Sequence, residues 1–69
     1  MSNLIRIGLF SKIAQVTIRT LRHYDERGLL KPAYIDTTTS YRYYTYDQLM
    51  RIHHIVVLKD AGFSLDEIA

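Results

Sequence analysis

Residues 17–28 read TIRTLRHYDERG, and this stretch decides the fold. Threonine starts helices well, because its hydroxyl accepts from backbone N–H groups that the first turn leaves unpaired. With Thr17 as the N-cap, Val16 and Leu21 take the positions of a hydrophobic staple, which fixes the angle of entry into the helix. IRTLRHYDER contains no breaker, and Gly28 supplies the stop. At about 100° per residue, Ile18 and Leu21 share one side. Arg19, His23, Glu26 and Arg27 face the other way, with Thr20 among them and Tyr24 at the flank. Upstream, Leu9, Ile13 and Ala14 make a short helical stripe over residues 8–14. Two helices meeting at so short a turn have the outline of a helix-turn-helix.

Downstream, Pro32 disfavours helix at the residue before it. Residues 33–35 and 41–44 are rich in strand formers, with DTTTS between them, which predicts a β-hairpin with a four- or five-residue loop. The absence of glycine there argues against a two-residue turn. The second strand runs into YRYYTY, four tyrosines in six positions, in a chain whose two phenylalanines are Phe10 and Phe63. Strand alternation puts Arg42 and Tyr44 on one face, Tyr41 and Tyr43 on the other. Tyr44 is expected to pack inward, and Arg42 to reach a ligand.

Thr45 and Gln48 then form a capping box, stapled by Tyr44 and Leu49. The helix it opens turns Leu49, Ile52, Ile55 and Val56 inward and places Asp47 in its first turn, where the dipole favours an anion. Gly62 fits the left-handed C′ position, with Phe63 closing back on Leu58. Ser64 and Glu67 make a second capping box, stapled by Phe63 and Ile68. The helix they open has scarcely begun at Ala69, and a helix that short is not stable alone. The chain is therefore expected to be a fragment of a longer protein.

Composition narrows the function. A 69-residue chain buries only about 60% of its unfolded surface. Without cysteine it has neither disulfides nor thiolate metal ligands, and a reducing cytoplasm is its natural setting. His53 and His54 are chain neighbours and do not share a helix face as zinc ligands would; no metal or cofactor is expected. No window approaches the ~18 apolar residues of a membrane span. Net charge is +2 and uneven. Residues 1–45 carry Arg6, Lys12, Arg19, Arg22, Arg27, Lys31 and Arg42 against Asp25, Glu26 and Asp36, a balance of +4. Residues 46–69 carry −2. A polyanion would choose the first two-thirds.

The Arg, His and Tyr face of the second helix suits the DNA major groove, where arginine donates two bonds to guanine. Its bland alternative is an exposed face with pairs such as Arg22 with Glu26. An arginine flanked by tyrosine hydroxyls beside a threonine turn suits phosphate. The fold expected is mainly α: a winged helix-turn-helix with a short β-hairpin wing and a following helix pair. Two other functions compete. One is a single-stranded nucleic-acid or RNA binder stacking bases on the tyrosine hairpin. The other is an excisionase-like module acting through protein contacts. No nucleophile, base and orienting group fall into a catalytic arrangement, so an enzyme is not expected.

RIGLFSKIAQVTIRTLRHYDERGLLKP, SYRYYTYDQL and LKDAGFSLDEI resemble the N-terminal DNA-binding domain of MerR-type transcriptional regulators, from about Arg6 to the end of the chain. The wing is most similar to the branch sensing multidrug cations. The resemblance implies one DNA-binding domain over residues 1–69, with a coiled coil and effector domain lying outside them. It implies a homodimer on a dyad-symmetric double-stranded promoter, whose over-spaced elements are twisted so that RNA polymerase engages both. It assigns phosphate or base contact to Thr17, Arg19, His23 and Tyr24, and backbone contact to Tyr41, Arg42 and Tyr43. It makes Leu21, Leu29, Leu49 and Phe63 core. His23 stands where tyrosine is frequent in the family, and Gln15 and Ser40 stand where glycine is frequent.

Overall fold

Tyr44 is fully buried, and its ring stacks on that of Phe10 with centroids 4.4 Å apart and planes 15° from parallel. Around this pair the computed structural model, which describes residues 4–69, assembles seven elements. Strand β1 (Ile5–Arg6) leads directly into helix α1 (Ile7–Ala14), and α2 (Ile18–Glu26) follows. The hairpin strands β2 (Tyr34–Ile35) and β3 (Arg42–Tyr44) come next, then the long helix α3 (Tyr46–Asp60) and the short α4 (Leu65–Ile68). The sheet is antiparallel in the order β1-β3-β2, with Ile5 opposite Tyr44 and Tyr34 opposite Tyr43. Ile5, Phe10, Leu21, Tyr24, Leu29, Leu30, Ile52 and Ile55 complete the core with Tyr44. Among the described residues, no helix is long and apolar enough to cross a membrane.

Local signals produced most of these elements. Thr17 caps α2 by accepting from the Thr20 amide at 3.0 Å. Gln48 accepts from the Thr45 amide at 2.9 Å at the start of α3. Three helices end in the same closure, in which two N–H groups beyond the helix return to its last carbonyls. After α2 these are Gly28 to Asp25 and Leu29 to Tyr24; after α3 they are Gly62 to Lys59 and Phe63 to Leu58. After α1 they are Gln15 to Lys12 and Val16 to Ser11. Gln15 thus holds the left-handed conformation, φ 59°, that Gly28 holds at 72°. Ser40, at the wing tip, is the other such non-glycine residue among the described residues, φ 65°.

The structure departs from the sequence reading at four places in the framework of the fold, and at a fifth, Tyr24, on the face of α2. Strand β1 was not expected, since two residues carry no periodicity of their own; pairing with β3 creates it. Ile18 is 39% exposed instead of inward, because Leu21 and Tyr24 set the buried side of α2. Phe63 is 48% exposed instead of core. The turn at Gly62 leaves its ring at the surface, while Leu65 and Ile68 pack against the core. Leu49 is half-buried at the core's edge. Leu21, Leu29, Ile52 and Ile55 are buried as expected.

Replacing Gln15 by glycine should stabilise the domain. Relief of the left-handed backbone is worth about 1–2 kcal/mol, offset by ~0.4–1 kcal/mol of added unfolded-state entropy. Thermal denaturation should show a rise of about 2–8 °C, and a fall would mean that the Gln15 side chain contributes more than its backbone strain.

At α4, the Ser64 amide donates to Glu67 Oε1 at 2.8 Å and the Glu67 amide donates to Ser64 Oγ at 3.2 Å. The bond from the Ser64 backbone, then that with its side chain, holds the Glu67 carboxyl below its ordinary range. A depressed pKa means that the cap's contribution is present above the unfolded glutamate's titration and lost as pH falls through the folded one. A carbon-detected NMR titration should find Glu67 titrating below glutamate in an unstructured peptide; an unshifted midpoint would show that the cap is open in solution.

Candidate nucleic-acid interface

The outward face of α2 follows from its buried one. Leu21 and Tyr24 point into the core, so residues about 180° away point out. Arg19 and Glu26 lie near the centre of that outer face, Ile18 and Arg22 on the flank toward the wing, and His23 and Arg27 on the opposite flank. All six are exposed. At the helix start the Thr17 hydroxyl is engaged twice, accepting from the Thr20 amide and donating to the Thr20 hydroxyl at 2.9 Å.

On the wing side of α2, an open groove of about 610 Å³ gathers Arg6, Lys12, Arg22 and Arg42 along with Ile18 and Tyr41. Four cations and no carboxylate line it. Four elements supply them, β1, α1, α2 and β3, so the charge density is a product of the fold and not of any one stretch. The guanidinium of Arg6 lies 4.0 Å from the centre of the Tyr41 ring, a cation–π contact joining β1 to the wing. Across the hairpin, the Tyr34 and Tyr43 rings tilt against each other at 5.8 Å.

The wing tip is ordered by its own side chains. Asp36 Oδ1 accepts from the amides of Thr38 and Thr39 at 2.8 and 3.2 Å, and the Ser40 amide donates to the Asp36 carbonyl at 2.7 Å. A bond from the Asp36 amide to the Tyr41 carbonyl, 2.9 Å, closes the loop around residues 37–40. The predicted loop length is thereby met.

At the wing base, Arg42 is half-buried and its Nε lies 3.8 Å from Asp25 Oδ2 on α2. Lys31 Nζ approaches the other oxygen of Asp25 at 3.5 Å. The buried Tyr44 hydroxyl ionises less readily than ordinary tyrosine, chiefly through burial and then through Asp25, with Arg42 and Arg22 opposing.

Of the residues predicted from sequence, Tyr41 and Arg42 join the groove, and Arg19 stands exposed beside it. Thr17 is exposed at the head of α2, and Tyr43 is half-buried in the middle strand. His23 lines a separate recess on the far flank with Arg27, Lys59 and α4. Arg27 is ion-paired there with Asp66. Tyr24 is corrected: it is 3% exposed and belongs to the core. It lies three residues from Leu21 and therefore shares its side of the helix. Burial first, and Asp60 second, raise the pKa of its hydroxyl.

Sequence reasoning missed Arg6, Lys12 and Arg22. Arg22 forms no ion pair with Glu26 among the described residues; it turns toward the wing, four positions after Ile18. That spacing was the available signal. Nothing local marks Arg6 or Lys12, which reach the groove through the pairing of β1 with β3 and the packing of α1 against α2 and β3.

The pattern of the MerR HTH family of regulatory proteins matches residues 5–69. The multidrug-efflux transporter 1 regulator of Bacillus subtilis is 52% identical over 62 residues, covering 90% of this chain and 22% of the regulator. A cryo-electron-microscopy structure of the EcmrR–DNA complex in EcmrR-RPo superposes with a TM-score of 0.88 at 55% identity, over 93% of this chain and 24% of that one. A crystal structure of HiNmlR, a MerR family regulator lacking the sensor domain and bound to promoter DNA, superposes with a TM-score of 0.83 at 28% identity, over 94% of this chain and 48% of that one. With the helix-turn-helix, the wing and the following helix pair all inside the matched region, the chain belongs to the MerR family of helix-turn-helix regulatory proteins.

Proposed function

We propose that this domain binds double-stranded DNA, with α2 in the major groove and the β2–β3 wing along the backbone. The observation that carries the reading is the groove in which Arg6, Lys12, Arg22 and Arg42 converge between α2 and the wing. A lone basic helix would attract any polyanion; cations gathered between an exposed helix face and a wing match a duplex, whose phosphates flank the groove the helix enters. Arg19 is the base-reading candidate. Arg42, Tyr41 and Tyr43 hold the backbone, Arg6, Lys12 and Arg22 add phosphate contacts, and Thr17 anchors the helix start. His23 approaches the duplex on the opposite flank. The domain has no catalytic role in this reading and acts on DNA in the cytoplasm.

Base stacking on single strands is disfavoured by the state of the tyrosines. Tyr24 and Tyr44 are buried, the guanidinium of Arg6 occupies a face of Tyr41, and Tyr34 and Tyr43 lean on each other. Tyr46, at the start of α3, stays exposed, but the hairpin offers fewer free ring faces than its sequence suggests.

The chain spans 22% of the length of the B. subtilis regulator it matches. For the whole protein we propose a homodimer on a dyad-symmetric promoter, with the spacer twisted for RNA polymerase. Joining two half-site readers raises avidity about 10²–10⁴-fold without new contacts, and a rigid pair can impose the relative rotation that twisting requires.

Arg42→Ala should weaken cognate and random duplex alike, and flatten the dependence of log affinity on log salt by about one unit. Fluorescence anisotropy across a salt series measures both; an unchanged slope removes the wing from the interface.

Arg19→Ala should instead cost about 1–3 kcal/mol on the cognate site and relax preference at one base pair. Selection from randomised duplexes reads this directly. Equal losses on cognate and scrambled DNA would make Arg19 a phosphate contact only.

A further inference from the structure

Asp25 has the wrong sign for its surroundings. It lies on α2, near a groove lined by four cations, and its side chain is 21% exposed. Its two oxygens face cations from two different segments, Lys31 after the helix and Arg42 on the wing, at 3.5 and 3.8 Å. Arg42 Nε is buried and has no hydrogen-bond partner among the described residues, and the Tyr44 hydroxyl shares that condition. Even so, the Arg42 side chain keeps 30% of its exposure. The exposed part must lie in atoms other than Nε, and Arg42 lines the groove. A guanidinium is a rigid planar fork, so holding its Nε edge fixes the plane in which its terminal amino groups meet an oxyanion.

We propose that Asp25 is a positioning residue for DNA recognition, which holds the Nε edge of Arg42 against α2 and so aims the wing's guanidinium at a phosphate. It ties the wing to the helix that reads the bases. The inference rests on the DNA-binding reading above. Through-space charge makes the opposite prediction: a carboxylate beside the groove repels phosphate, and neutralising it tightens binding. Positioning requires that neutralising it weakens binding, and only while Arg42 is present.

The experiment uses the full chain and a dyad-symmetric duplex recovered by the parent protein from a random pool. Asp25→Asn should bind about fivefold to tenfold more weakly than the parent, with a shallower salt dependence. In an Arg42→Ala background the same change should produce no weakening, and Asp25→Glu should recover part of the loss. Arg42→Lys keeps the charge without the fork and should bind like Arg42→Ala; it carries the test if Asp25→Asn fails to fold. Without DNA, ¹⁵N NMR should find the Arg42 Nε–H protected from exchange in the parent and unprotected in Asp25→Asn. Parental or tighter binding by Asp25→Asn, parental binding by Arg42→Lys, or an Nε–H signal indifferent to Asp25 would each overturn the proposal. A parent that binds no duplex would overturn the DNA reading itself, and is distinguished by the failure of every variant alike.

Discussion

The stack of Tyr44 on Phe10 is the constraint on which the other arrangements depend. It joins the last residue of the wing's second strand to the middle of α1, and such a pair contributes about 0.5–1.5 kcal/mol beyond the area it buries. Its larger effect is on register. Strand side chains alternate, so seating Tyr44 in the core turns Arg42 toward α2 and sends Tyr43, between them, to the other face. The same seating pairs Tyr44 with Ile5 and Tyr43 with Arg6, which brings the N-terminal arginine to the Tyr41 ring. A one-residue slip would reverse all of these placements together.

The charge arrangement follows from that register. Seven of the chain's nine Lys and Arg residues precede residue 46, yet only folding brings four of them to a single groove. Two of them have partners that limit where they point: the ring of Tyr41, itself in the groove, lies under Arg6, and Asp25, outside it, lies beside Arg42. Each is an exposed or half-exposed contact, worth little as stabilisation in water. Their consequence is geometric. They limit where flexible cationic side chains point, and a surface meant to meet a rigid duplex gains more from direction than from additional charge.

What was legible in the sequence was short in range. Thr17, Thr45 with Gln48, Ser64 with Glu67, Gly28 and Gly62 announce helix ends through bonds to residues at most five positions away, and all the ends fell where they indicated. The hairpin was legible from Asp36 and the strand formers beside it. Long-range matters were not. Ile5 and Arg6 become a strand only when β3 lies alongside; Arg6 enters the groove by that pairing and Lys12 by the packing of α1. Tyr24 was ambiguous because a polar-tipped aromatic at a helix flank fits core or surface equally well, and the position of Leu21 relative to the neighbouring helices decides it. Phe63, which the family resemblance made core, is 48% exposed, because likeness of motif and spacing does not say which side of the turn the core occupies.

The self-bonded loop at the wing tip has a consequence for the timing of an entropic cost. Fixing a backbone residue costs about 1–2 kcal/mol, and the bonds that Asp36 accepts from the amides of Thr38, Thr39 and Ser40 incur that cost when the domain folds. A floppy loop would incur it at each encounter with a partner, subtracting it from affinity every time. Three threonines between an aspartate and a left-handed serine thus act as a prepaid ordering of the wing. The tip meets its target already shaped, so dissociation does not return its freedom as a reward for leaving.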